Sequence, residues 1–94
     1  MTKADLVNSI SNKLGVEKKE TQLIIESFMD EIKKTMFLGK NIYLRGFGTF
    51  LIKKRKEKKG RNITHNTTIT IAAHKIPFFK PSKEFLNKIK NNVK

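Results

Sequence analysis

The 94-residue chain contains no cysteine. A disulfide scaffold, a cysteine-based zinc site and a thiol nucleophile are therefore excluded. No apolar run approaches the roughly 18 residues of a membrane span. Residues Met1 to Asp5 lead into alternating polar and apolar residues, without the apolar block of a secretion signal. The expectation is a cytoplasmic protein. Catalytic groupings are lacking too: no Ser/His/acid set, no paired acids in an apolar segment, no glycine loop to cradle a phosphate. His65 and His74 have no cysteine or acid pair beside them, so no metal site is expected. No enzyme, cofactor or small-molecule substrate is expected either. Acids are scarce, with 8 Asp+Glu against 21 Lys+Arg and a net charge of +13. Such an excess calls for a polyanion, nucleic acid first and an anionic membrane second.

The charge is unevenly placed. Residues 1–46 hold eight basic and six acidic residues, a net of +2, whereas residues 47–94 hold thirteen and two, a net of +11. The first half has the composition of a fold-forming segment. The second half carries the polyanion-binding equipment. One chain of this length is a single small domain, here residues 1–94.

Local patterns give the elements. Thr2 and Asp5 stand as a capping box, Leu6, Val7, Ile10 and Leu14 follow at helical spacing, and Gly15 stops the helix. A longer helix runs from about Lys18 to Leu38, with a wide apolar stripe of Leu23, Ile24, Ile25, Phe28, Ile32 and Met36. Ile42–Arg45 has strand composition, Gly46-Phe47-Gly48 is a tight turn with a close backbone approach, and Thr49–Ile52 resumes as strand. The strand continues into the basic stretch Lys53–Arg61, which has no apolar residue, and returns through β-branched Thr67–Ile71, with His65-Asn66 as the hairpin tip. Pro77–Pro81 is an extended, proline-bounded step. Ser82 caps a short last helix with Phe85, Leu86, Ile89 and Val93 on one face.

The fold class is therefore α+β: two N-terminal helices, a three-stranded antiparallel sheet with a long protruding β-ribbon arm, and a short C-terminal helix. The body comprises residues 1–52 and 75–94 and the arm residues 53–74. A body of about seventy residues is marginal alone. Its apolar stripe and phenylalanines exceed what it can cover, so an intertwined dimer is expected, with Phe28, Phe47, Phe50 and Phe79 in a shared core. Core packing suits Phe47, Phe50 and Phe79 better than base stacking.

Three motifs then stand in order: Gly46-Phe47-Gly48-Thr49-Phe50, Gly60-Arg61-Asn62, and Ile76-Pro77-Phe78-Phe79-Lys80-Pro81-Ser82-Lys83. Together they resemble the HU/IHF family of bacterial DNA-bending proteins, over essentially the whole chain. The resemblance implies an intertwined dimer, homodimeric or heterodimeric, whose two arms wrap double-stranded DNA along the minor groove in the bacterial nucleoid. It also implies a wedge at the arm tip, where the family usually has proline after Arg-Asn. This chain has Ile63 there, an apolar residue that can also part a base step but keeps a freer φ and an N–H. The tip sequence Thr64-His65-Asn66-Thr67 and Pro81-Ser82 depart from the family pattern as well.

The expected DNA-binding set is Lys3, Arg45, Lys53, Arg55, Lys56, Lys58, Lys59, Arg61, Asn62, Ile63, Lys75, Lys80 and Lys83. Each cation that neutralises a phosphate releases a counterion. Side chains alternate along a strand, so about half of the arm cations can face DNA at once and the rest keep the arm solvated. Arg61 and Asn62 suit minor-groove acceptors, which separate A·T from G·C pairs only weakly. Lys3, Lys80 and Lys83 stand near helix starts, where phosphate is favoured. By the family resemblance, Arg45 clamps flanking DNA. The function expected is wrapping, bending and compacting DNA, mostly without sequence specificity. The alternatives are a site-specific IHF-like bender, a ribosomal or RNA-structural protein, and an anionic-membrane binder. The last would need a basic amphipathic helix, and the basic density here lies on a ribbon.

Overall fold

A computed structural model describes residues 1–62 and 67–93. The elements in chain order are α1 (Lys3–Leu14), α2 (Lys18–Phe37), β1 (Ile42–Leu44), β2 (Gly48–Arg55), β3 (Lys58–Asn62), β4 (Thr67–Ile71), β5 (His74–Pro81) and α3 (Lys83–Asn92). The chain divides into two compact units, Met1–Thr35 and Met36–Lys94.

In the first unit the expected capping box forms. The Thr2 side chain accepts from the Asp5 N–H, and the Asp5 carboxylate accepts from the Thr2 N–H at 2.8 Å. Gly15 ends α1 at φ 68°, a left-handed geometry that glycine enters without a Cβ penalty. Its N–H donates to the Ser11 carbonyl, and the Ser11 hydroxyl donates to the Val16 carbonyl, which fixes the turn between the helices. Val7, Ser11 and Thr21 are the buried residues of this unit. Leu6, Leu14, Leu23, Ile24, Phe28 and Met29 remain exposed on the single chain.

The second unit is built on an antiparallel sheet of order β1-β2-β5, with β3 and β4 as a separate two-stranded ladder. Asn41 extends the first pairing, its Oδ1 accepting from the Ile52 N–H at 3.2 Å. The third strand of the sheet is β5, not the Thr67–Ile71 segment that composition favours. Pro77 and Pro81 lie within it. They are tolerated because β5 pairs with β2 on one side only, and an edge strand need not donate every N–H.

The two ladders form one interrupted ribbon. β2 pairs β5 from Gly48↔Pro81 to Arg55↔His74, and β3 pairs β4 from Lys58↔Ile71 to Asn62↔Thr67. The register is the same on both sides of the break. It skips Lys56-Glu57 on one leg and Ala72-Ala73 on the other without inserting a residue, so the alternation of faces carries through. The Nδ1–H of His74 donates to the Ala72 carbonyl at 3.0 Å beside this break. The expected tip at His65-Asn66 and the wedge Ile63 lie outside the described residues.

Candidate nucleic-acid interface

The site begins at the Gly-Phe-Gly turn. Gly46 sits at φ 80°, in the left-handed region. Gly48 is needed for a different reason: a Cβ there would lie 2.6 Å from the Lys80 carbonyl oxygen and 2.6 Å from the Phe79 ring. The Phe47 N–H donates to the Leu44 carbonyl at 3.0 Å, and the Phe47 carbonyl accepts from the Ser82 N–H at 2.9 Å. The turn is thereby tied to the start of α3, where the Ser82 hydroxyl accepts from Phe85 N–H at 3.1 Å.

The turn sets Phe47 against other rings, although it stays exposed on the single chain. Its ring centroid lies 5.0 Å from Phe79 and 5.6 Å from Phe85, and Phe50 lies 4.9 Å from Phe79. Such offset and tilted pairs are favourable beyond the area they cover. Sequence pattern places three of the four rings in the core. It puts Phe85 on the α3 face, and the hydrogen bond from Ser82 to Phe47 ties the turn to the start of that helix.

The cluster marks one face of the sheet, because Phe50 and Phe79 are directly opposed in register. Strand alternation then sorts every arm cation. On the other face follow Thr49↔Lys80, Leu51↔Phe78, Lys53↔Ile76 and Arg55↔His74, continuing to Lys59↔Thr70 and Arg61↔Thr68. On the cluster's own face follow Ile52↔Pro77, Lys54↔Lys75 and, past the break, Lys58↔Ile71, with Lys56 between them. The face that carries Arg55, the arginine face, thus also holds Lys53 and Lys59, its register running on to position 61, and the opposite face holds Lys54, Lys56, Lys58 and Lys75. Lys53, Lys54, Arg55, Lys56, Lys58, Lys59, Lys75 and Lys80 are all exposed. The Lys53 ammonium stands 4.6 Å from the Phe78 ring centroid, a cation–π contact on the arginine face. Arg61 and Asn62 close β3 opposite Thr68 and Thr67.

The remaining expected residues lie at the body. Arg45 is exposed in the turn before Phe47. Lys3 and Lys83 are the first residues of capped helices, positions where backbone N–H groups favour an anion. Lys80 belongs to β5 rather than to a helix start. Lys3 is already engaged, its ammonium 2.6 Å from Glu26 Oε1. That hydrogen bond, helped by one from Gln22, holds the Glu26 carboxyl below the ordinary glutamate value. Sequence reading passes over Lys54, the apolar pair Leu51 and Phe78, and the Lys3–Glu26 link. The first two are accessible from alternation once Gly48 is set as the start of β2. The third is not, because residues 23 positions apart meet only through tertiary structure.

Comparison with known proteins places the chain in a family. A family model described as bacterial DNA-binding protein matches residues 1–90. The chain belongs to that family. It is an architectural DNA-binding protein of the HU/IHF type, and the family is not one of enzymes. Integration host factor subunit alpha of Anaeromyxobacter sp. (strain K) is 38% identical over 93 residues, covering 99% of this chain and 82% of that protein. DNA-binding protein HU of Thermotoga maritima is 34% identical over 90 residues, covering 96% and 100%. The Anabaena HU-DNA cocrystal structure superposes with a TM-score of 0.88 at 30% identity, over 100% of both chains. No helix among the described residues is long and apolar enough to cross a membrane.

Proposed function

We propose that the chain works as a dimer that wraps and bends double-stranded DNA in the bacterial nucleoid, mostly without sequence specificity. The arginine face of the ribbon lies on the duplex. Sorting of the arm cations by register carries this reading: one continuous face offers Lys53, Arg55, Lys59, Arg61 and Lys80. Arginine suits a narrow minor groove, where the negative potential is enhanced. Arg45, Lys3 and Lys83 add flank contacts at the body.

The need for a partner copy follows from burial. Among the described residues, Val7 is the one buried apolar side chain. Phe28 is 50% and Phe47 43% exposed, and Leu86, Ile89 and Val93 of α3 are exposed as well. A single chain with this surface lacks a closed core, and association supplies it. The relatives include both HU and integration host factor alpha, so homodimer and heterodimer are both served by this surface.

The testing experiment is affinity for random, A-tract and nicked duplexes, and for an A-form RNA duplex, across a salt series. The expected result is a flat ranking among DNA sequences, a steep salt slope, and weaker binding to RNA. One DNA sequence preferred by about a thousandfold marks site-specific binding instead. Preference for the RNA overturns the reading.

A further inference from the structure

One aromatic side chain of the sheet is left without a ring partner. Phe47, Phe50, Phe79 and Phe85 pair with one another, and among the described residues Phe78 joins none of these pairs. Phe78 alternates onto the other face of the sheet, the one that carries Arg55, and stays 39% exposed. Leu51 opposes it directly, and Ile76 follows two residues away on the same strand and face; both are half-buried. Tyr43 of β1 opposes Thr49, so it lies on this face too, 74% exposed. A sheet face turned to solvent ordinarily carries polar residues. Here it carries an apolar patch, bordered by Lys80 on one side and by Lys53 and Arg55 on the other.

Lys53 ties the patch to the charge. Its ammonium stands 4.6 Å from the Phe78 ring centroid, so a cation and an apolar ring form one contact surface. That pairing matches a nucleic-acid backbone, in which each phosphate is covalently joined to a sugar. An ammonium that meets a phosphate leaves the ring beside it against the adjoining sugar. In the minor groove of DNA that sugar presents C–H groups. In an RNA duplex the minor groove displays 2′-hydroxyls. A hydroxyl pressed against an aromatic face loses its water and gains no partner, which is unfavourable.

We propose that Phe78, with Leu51 beside it, reads the sugar: it packs on deoxyribose at the minor-groove wall and discriminates against the 2′-hydroxyl of RNA. This role rests on the reading that the arginine face holds the duplex, and it names the group that makes RNA the weaker ligand. The cations do not supply that choice, because both nucleic acids offer phosphates. The contribution of Phe78 persists at high salt, since burying apolar surface releases no counterions.

The test measures binding of the full-length dimer to three duplexes of one sequence, each across a salt series: DNA, RNA, and RNA with fluorine in place of every 2′-hydroxyl. The last keeps the A-form and lacks the hydroxyl, so it separates sugar chemistry from groove shape. The unmodified protein is expected to bind the fluorinated duplex more tightly than RNA. Phe78→Thr removes the ring and keeps a β-branched residue in the strand. Its DNA affinity is expected to fall about tenfold for the two copies in a dimer, at every salt concentration. The salt slope stays the same and RNA affinity is unchanged or raised, so the preference for DNA shrinks by the same factor. Phe78→Leu, still apolar, retains most of the preference. A parallel loss on DNA and RNA overturns the proposal, because it makes the ring a support of the sheet. So does a reduced salt slope, which assigns the effect to Lys53. Should Phe78→Thr fail to fold, the unmodified protein decides alone: equal binding of the RNA and fluorinated duplexes overturns the proposal. Preference of the unmodified protein for RNA over DNA is a separate result, and it overturns the proposed function instead.

Discussion

The base of the ribbon and its outer part share one register and differ in what holds them. At the base, Phe50↔Phe79 and Leu51↔Phe78 oppose each other, and Phe47 and Phe85 close over the first pair. Farther out, the pairs are Lys58↔Ile71, Lys59↔Thr70 and Gly60↔Ile69. There the backbone ladder is retained while the aromatic packing ends. The transition falls at the break around Lys56-Glu57 and Ala72-Ala73. The base is therefore specified by packing and the outer part by hairpin connection and charge. A segment with few buried contacts opens at low free-energy cost, which suits a part that must fit itself to a duplex.

Substitutions at the base should act on folding and leave the arm's chemistry alone. The largest effect is expected for Phe79→Ala, which empties the centre of the aromatic cluster at a cost of about 3 kcal/mol. Chemical denaturation reads the loss, and the midpoint should depend on protein concentration, because folding and association are linked. Gly46→Ala forces a Cβ into the left-handed region and costs about 1 kcal/mol, read by the same denaturation. A loss as large as that of Phe79→Ala would mean that the turn, not the ring cluster, organises the base.

Changes at the outer part should do the reverse. Ile63→Ala, at the position the resemblance makes a wedge, is expected to keep the melting temperature and reduce bending more than affinity. Fluorescence energy transfer between the ends of one duplex measures it. An unchanged bend removes the wedge role from Ile63.

The smallest effect concerns Lys3. Its partner Glu26 is held below the ordinary glutamate value by the Lys3 hydrogen bond. A carboxyl lowered on folding contributes stability that is complete above its ordinary value and is lost as pH falls through the lowered one. Glu26→Gln should therefore flatten the acid side of the stability profile and leave neutral stability little changed, as for exposed pairs in general. It should also free Lys3 for phosphate and tighten DNA binding slightly. Weaker binding by Glu26→Gln would show that the pair positions Lys3 rather than restrains it.

Much of this architecture is written in local pattern. The capping box at Thr2 and Asp5, the stop at Gly15 and the cap at Ser82 all form as their residue types dictate. The Gly-Phe-Gly motif implies a tight turn and a close approach, and its two glycines divide those roles between them. The third sheet strand is not legible, because two prolines mask a strand that is tolerable only at an edge. Edge position is a property of the assembled sheet. The division of arm cations into two faces needs the register, which composition leaves open. The Lys3–Glu26 link needs the helices to be placed. Of the 21 basic residues, the register thus sorts Lys53, Arg55, Lys59 and Lys80 onto one face of the ribbon and Lys54, Lys56, Lys58 and Lys75 onto the other.

On this reading the arginine face binds DNA without contributing to the fold. The most direct test is the variant Lys53→Gln/Arg55→Gln/Lys59→Gln/Arg61→Gln, studied by thermal melting and by DNA affinity across a salt series. The expected result is an unchanged melting temperature and a salt slope reduced by about 0.9 for each phosphate no longer neutralised. An unchanged slope, or a protein that melts well below the unmodified one, would contradict it.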